Sequence, residues 1–338
     1  MNKLIPEKQS VFLRASVSDI CNFSCRYCAA DLGMENHTPK DLGAPLLSAE
    51  EYIRNLRLLA LHGFKTVSFT GGEPLLNADF ERIAKGCRDC FDIIEITTNA
   101  TKMAENINAL KKYVDVVKIS ADAVDKELAV KIAGNRLAAN TLDIVEECCA
   151  AGIKTIGLNF VYMKQNAGEL PKLIEFASAL KQKYRTDIYI SILDLYYSAG
   201  NKAFWKDQFV DLSELRKDLE AEGKTLKRRL RIGCDSYNCV WNDVLVNMKD
   251  SISCTHRAPI CDKCENYCQE GIYSLKHSAS GWISVCPSND PALGSLLGAG
   301  LSDSEAHNII DPYIEILNEI VRKDNTGEIF TAKNGLFN

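Results

Sequence analysis

Basic charge is in short supply. Lysine and arginine number 40 against 45 aspartate and glutamate, a formal net charge of −5 over 338 residues. Such a chain has no positive field to hold nucleic acid, and none is expected as a partner. The one basic stretch, residues 224–231 (KTLKRRLR), reads as a solvated helix face. Long apolar runs are also missing. None approaches the ~18 residues a membrane span needs, so no membrane partner is expected. The opening MNKLIPEKQSVFLRASV has neither a long apolar core nor a small-residue cleavage site. That argues against a secretory signal and for a cytoplasmic location. The five histidines show no paired spacing, and there is no low-complexity tract.

Cysteine is abundant instead. There are fourteen, most of them in two groups: positions 21, 25 and 28, then 234, 239, 254, 261, 264, 268 and 286. A secreted disulfide scaffold is short and carries a signal peptide. Clustered cysteines in a chain of this kind point to metal or redox chemistry. Cys87 with Cys90, and Cys148 with Cys149, fall on helix-like stretches and read as core or half-exposed thiols.

The first two-thirds alternate between short apolar runs and amphipathic segments. Strands are expected at 11–17, 66–70, 93–98, 114–120, 154–161 and 187–193. Ser48-Ala49-Glu50-Glu51 reads as a capping box for a helix running to His62, where Gly63 stops it. Further helices are expected at 78–90, 104–113, 139–151, 169–184 and 304–323. Six β–α units imply parallel strands, too few for a closed eight-stranded barrel. An open α/β sheet or a partial barrel fits. The rhythm fades after about residue 200, and a boundary is expected near 200–230.

Cys21-Asn22-Phe23-Ser24-Cys25-Arg26-Tyr27-Cys28 spells C-x3-C-x2-C directly after the first strand. At this cysteine content chance supplies the spacing about 0.02 times. Three thiolates so close suit an iron–sulfur cluster, and a four-iron cube on three cysteines keeps one iron open. Zinc is the alternative, and it needs a fourth ligand.

This spacing, with Tyr27 before the last cysteine, resembles the signature of the radical S-adenosylmethionine (SAM) superfamily. The resemblance implies a partial (β/α)6 TIM-like barrel over residues 8–200. It also implies a SAM-binding [4Fe–4S] cluster on Cys21, Cys25 and Cys28, and an external electron donor such as flavodoxin or ferredoxin. SAM would be cleaved to a 5′-deoxyadenosyl radical that takes hydrogen from a substrate. Phe69-Thr70-Gly71-Gly72-Glu73-Pro74 matches the family's GGEP motif, which meets SAM's amine. Thr98, Asn99, Ser120, Asp122, Asn159 and Leu193 stand at later strands where relatives contact SAM or substrate.

The stretch 13–21 (LRASVSDIC) is similar to the GTP 3′,8-cyclase branch, in which Arg14 matches a phosphate-contacting arginine. The likeness then breaks. Ser68 and Gly157 stand where that branch carries a second arginine and a lysine, and the double-glycine tail is missing. GTP is therefore not the expected substrate.

Cys261-x2-Cys264-x3-Cys268, followed by Gly281-x4-Cys286, resembles the twitch or SPASM auxiliary-cluster hairpin, with Lys276 where the cyclases have arginine. It implies an auxiliary [4Fe–4S] domain over 201–300, with a helix and tail over 301–338. Four-cysteine zinc spacing is the alternative. A small polar metabolite such as a sugar, nucleoside or amino acid derivative is the expected substrate. The rivals are a peptide-modifying maturase and a zinc-stabilised binding module without catalysis.

Overall fold

The computed structural model describes residues 1–4, 11–28, 43–198, 200–229, 236–250, 261, 269, 271–286 and 294–325. Six parallel strands form its centre: β1 (Phe12–Ser18), β2 (Thr66–Gly71), β3 (Ile93–Thr98), β4 (Val116–Ser120), β5 (Thr155–Tyr162) and β6 (Asp187–Asp194). They lie side by side in chain order. The helices between them are α1 (Ala49–Leu61), α2 (Phe80–Cys87), α3 (Met103–Tyr113), α4 (Lys126–Ala133), α5 (Thr141–Ala150) and α6 (Leu170–Tyr184). All six expected strands are present within two residues of their expected ends. The short helix α4 was not anticipated.

Local sequence explains the elements. Ser48 Oγ accepts from the Glu51 amide at 3.3 Å, while the Ser48 amide donates to the Glu51 carboxylate at 2.8 Å. This reciprocal cap starts α1 as its S-x-x-E pattern requires. Alternation along the strands sorts the two faces. Leu13, Ala15 and Val17 of β1, Ile94 and Ile96 of β3, and Ile188, Ile190 and Ile192 of β6 are buried in one core with the helices. The intervening positions are mostly polar: Arg14, Ser68, Glu95, Lys118, Asn159, Ser191. A strand with one apolar face packs helices on that face only.

The later chain extends the same sheet at both ends. After α7 (Lys202–Gln208) and α8 (Leu212–Ala221) come β7 (Lys227–Arg229), β8 (Ser236–Trp241) and β9 (Val244–Lys249). β9 pairs parallel with β6, and β8 returns beside it through Asn242 and Asp243, both at positive φ. At the other end β10 (Ser274–His277) pairs parallel with β1. β11 (Trp282–Ser284) and β12 (Gly294–Leu296) follow antiparallel. Helix α9 (Asp303–Asn325) packs on α1. The order is β12-β11-β10-β1-β2-β3-β4-β5-β6-β9-β8-β7, and among the described residues the two ends do not pair, so the sheet is not closed.

The basic stretch 224–231 corrects its expectation. Its centre is the edge strand β7 rather than a helix face. Pairing with β8 decided this, which charge pattern alone does not encode.

Candidate active site

The C-terminal ends of the parallel strands, where ligands gather in such folds, carry the cysteine loop. Cys21 and Cys28 are exposed and Cys25 half-buried. The loop is held from outside by the unanticipated helix α4. The Ser24 amide donates to the Ala133 carbonyl at 3.1 Å and the Arg26 amide to the Ile132 carbonyl at 3.4 Å. Asn135 Nδ2 donates to the Asn22 carbonyl at 2.6 Å. Gly134 caps α4 at φ +64°, and a Cβ there would stand 2.5 Å from Ser24 Oγ. The loop therefore lies directly against the helix terminus.

The three thiols sense one another. Burial, followed by the charges of Asp122, Cys28 and Cys21, pushes the Cys25 thiol up to about 12. Thiols so placed ionise when a cationic iron core takes the proton's place, which suits a shared cluster. Among the described residues no three His, Cys, Asp or Glu side chains converge on a single-ion site.

Gly71 and Gly72 shape the other side. Gly71 has φ +139°, and a Cβ on it would lie 2.3 Å from the Ser18 carbonyl oxygen. One on Gly72 would lie 2.1 Å from the Ile20 oxygen. The Gly72 amide donates to Ser18 O at 2.9 Å and the Glu73 amide to Ile20 O at 2.7 Å. Paired glycines are thus needed for the exit of β2 to lie against the cysteine loop itself.

The Glu73 carboxylate is buried and burial raises its pKa. It accepts from Thr98 Oγ1 at 2.6 Å, the Asn99 amide at 2.7 Å and the Leu75 amide at 3.0 Å. Asn99 Nδ2 in turn donates to Asn22 Oδ1 at 2.8 Å and stands 3.8 Å from Cys21 Sγ. Glu73, Thr98 and Asn99 therefore form one strut from β2 across β3 to the loop.

Tyr27 donates its hydroxyl to Asp122 Oδ2 at 2.6 Å, and the Val161 amide donates to Oδ1 at 2.8 Å. Burial pushes the Asp122 carboxyl up to about 6. Ser120, Asn159 and Ser191 stand in register across β4, β5 and β6, with Leu193 two residues further along. On the far side Arg14 and Lys276 are register partners on β1 and β10, two cations side by side, and Lys276 is buried.

In the second cysteine group Cys261 is half-buried and Cys286 buried, at the end of the β10–β11 hairpin. Cys264 and Cys268 lie outside the described residues, as do Cys234 and Cys254. Cys87, Cys148 and Cys149 are buried as core thiols; burial pushes Cys87 and Cys148 up to about 12. Histidines distant in sequence do meet: His62 Nε2 and His307 Nδ1 are 2.9 Å apart. Asn22 and Asn135 are loop-holding residues that motif reading did not single out for the site. Asp122, named with Ser120 at the end of the fourth strand, holds the loop through Tyr27.

The sequence matches the radical SAM superfamily over residues 15–177. It is 31% identical over 281 residues to a GTP 3′,8-cyclase of Listeria monocytogenes, covering 81% of this chain and 78% of that one. The chain belongs to the radical SAM superfamily. Membership brings the family's two cofactors, a [4Fe–4S] cluster and SAM, and the thiol loop fits the first. A second radical SAM relative, the GTP 3′,8-cyclase of Actinobacillus pleuropneumoniae, is 30% identical over 224 residues. That match covers 65% of this chain and 63% of the cyclase, so the chain spans under two-thirds of that relative's length. At such identities it is a distant relative of the cyclases. The crystal structure of Streptococcus suis SuiB bound to precursor peptide SuiA shares the fold: 17% identity, 96% of this chain, 76% of SuiB, TM-score 0.62. The open sheet is thus the partial TIM-like barrel of radical SAM enzymes, with the polar strand face lining its lumen. No helix among the described residues is long and apolar enough to cross a membrane.

Proposed function

We propose that this protein reductively cleaves SAM and uses the radical produced to abstract hydrogen from a small polar metabolite. The observation that carries the reading is the placement of the Cys21–Cys25–Cys28 loop over a lumen lined by polar side chains. When bound, a [4Fe–4S] cluster with an open iron would supply the one-electron chemistry that cleaves SAM to methionine and a 5′-deoxyadenosyl radical. Cys21, Cys25 and Cys28 hold that cluster. Tyr27, Gly71, Gly72, Glu73, Thr98, Asn99, Ser120, Asn159 and Leu193 border SAM. The Glu73 carboxylate already accepts from three protein donors, so its part is to fix the wall at Thr98 and Asn99. Arg14 and Lys276 face one anionic group of the substrate from β1 and β10.

Residues 8–200 act as the catalytic barrel, 201–300 as a unit carrying an auxiliary [4Fe–4S] cluster on Cys261, Cys264, Cys268 and Cys286, and 301–338 as a helix and tail. With four cysteines that cluster serves electron transfer or structure and leaves substrate to the barrel. A flavodoxin or ferredoxin supplies the electron.

Anaerobic protein given SAM and dithionite should form 5′-deoxyadenosine, and Cys21, Cys25 and Cys28 changed together to Ala should form none. Persistent formation in that variant would refute the assignment. Colourless protein holding zinc would instead support a non-catalytic binding module. A deuterated metabolite extract identifies the substrate by label transferred into 5′-deoxyadenosine. The peptide bound to SuiB makes a peptide the second reading, favoured if only peptide fractions transfer label.

A further inference from the structure

Gly157 of β5 faces the lumen between Lys118 of β4 and Tyr189 of β6, its register neighbours. A Cβ on Gly157 would lie 2.6 Å from both Cζ and Oη of Tyr189, and 3.0 Å from Cε2. The phenol ring therefore lies across the glycine, in the space where any larger residue at 157 would project. Lys118 on the other side is ion-paired with Glu95 of β3, the two side chains 23% and 20% exposed. Tyr189 is held neutral, its pKa pushed well up by burial and then by the charges of Glu95 and Asp187.

Lys118, Gly157 and Tyr189 share one register level low in the lumen, and Glu95 lies two residues below that level on β3. Asn159 and Ser191 stand two residues higher, toward the cysteine loop. The paired cations Arg14 and Lys276 lie on the opposite wall.

We propose that Tyr189 is the specificity-determining residue that closes the lumen below Asn159, restricting the substrate to a compact polar molecule with a single anionic group. This rests on the proposed anion-facing role of Arg14 and Lys276. A substrate held there meets hydroxyl and amide groups at Ser120, Asn159 and Ser191 and finds the space over Gly157 filled. Gly157 is the counterpart that makes room for the ring.

Alkylphosphonates test the depth, because one anionic head is fixed while the tail lengthens. Calorimetry on the cluster-loaded protein with SAM present should show methylphosphonate binding wild type and Tyr189→Ala equally. Hexylphosphonate should bind Tyr189→Ala at least 10-fold tighter than wild type, since each methylene newly buried is worth ~0.8 kcal/mol. Tyr189→Phe, which keeps the plug and loses only the hydroxyl, should match wild type. Tyr189→Leu serves if the alanine variant folds poorly. Equal hexylphosphonate affinity in wild type and both smaller variants overturns the inference, as does a gain in Tyr189→Phe equal to that in Tyr189→Ala. The anion assignment is tested separately. Absent methylphosphonate binding, or binding that survives Arg14→Ala, overturns that assignment whatever Tyr189 does.

Discussion

The Tyr27 hydroxyl and the Asp122 carboxylate, 2.6 Å apart, tie the cysteine loop to the end of β4. Asp122 also accepts the Val161 amide, so one half-buried carboxylate joins the loop, β4 and β5. A hydrogen bond to a carboxylate contributes about 1.5–3 kcal/mol. A double-mutant cycle of Tyr27→Phe and Asp122→Ala should therefore show coupling of about that size in urea unfolding of the cluster-free protein. Strict additivity would show that the contact contributes nothing.

Gly72→Ala should misplace the cysteine loop. Its new methyl would stand 2.1 Å from the Ile20 carbonyl oxygen, a backbone atom that cannot turn aside. The expected result is a lower thermal midpoint together with reduced iron per chain after anaerobic reconstitution. Gly152→Ala is the control: Gly152 has a positive φ and nothing lies within 4 Å of its Cβ position. It should lose some stability and keep its iron. Equal iron loss in both would show that close approach at Gly72 is not what matters.

His277 should make the protein acid-sensitive. The ring is buried between Tyr52, met edge-on at 4.6 Å, and Asn55, 3.2 Å from Nε2. Burial pulls its pKa from 6.5 down to about 3. A histidine held neutral contributes stability that is complete above 6.5 and is lost as pH falls toward 3. At pH 4 the loss is about 3 kcal/mol. His277→Gln retains a polar end beside Asn55 and should flatten that part of the curve. Parallel curves for the two proteins from pH 7 to 4 would show that His277 is not the titrating group.

Replacing Cys261, Cys264 and Cys286 should roughly halve the iron content if these residues hold a second cube like the first. Unchanged iron would place any auxiliary cluster elsewhere.

GTP should not stimulate SAM cleavage. Ser68 supplies no cation, and Gly157 lies under the Tyr189 ring. Strong stimulation with a cyclised product would mean that these two departures from the cyclase pattern do not decide the substrate.

Much of the frame is legible in the chain because it is local. Alternation from Ile93 to Thr98 and the capping box at Ser48 are properties of neighbouring residues, and the structure forms both where expected. The helix α4 escaped because it is only eight residues long. The cysteine loop was readable as spacing, but the residues that hold it were not. Asn135 lies 113 residues from Asn22 and Asp122 lies 95 from Tyr27.

The sequence by itself determined a thiolate trio after a first strand, six β–α units and a polar alternation on one strand face. Those follow from spacing and from periods of 2 and 3.6. Tertiary structure alone decided that β10 returns beside β1, bringing Lys276 to Arg14, and that Tyr189 settles over Gly157. It also decided that Glu73 spends its carboxylate on bracing Thr98 and Asn99. Pairing between segments tens to hundreds of residues apart is set by the joint burial of many side chains, and no local pattern records it.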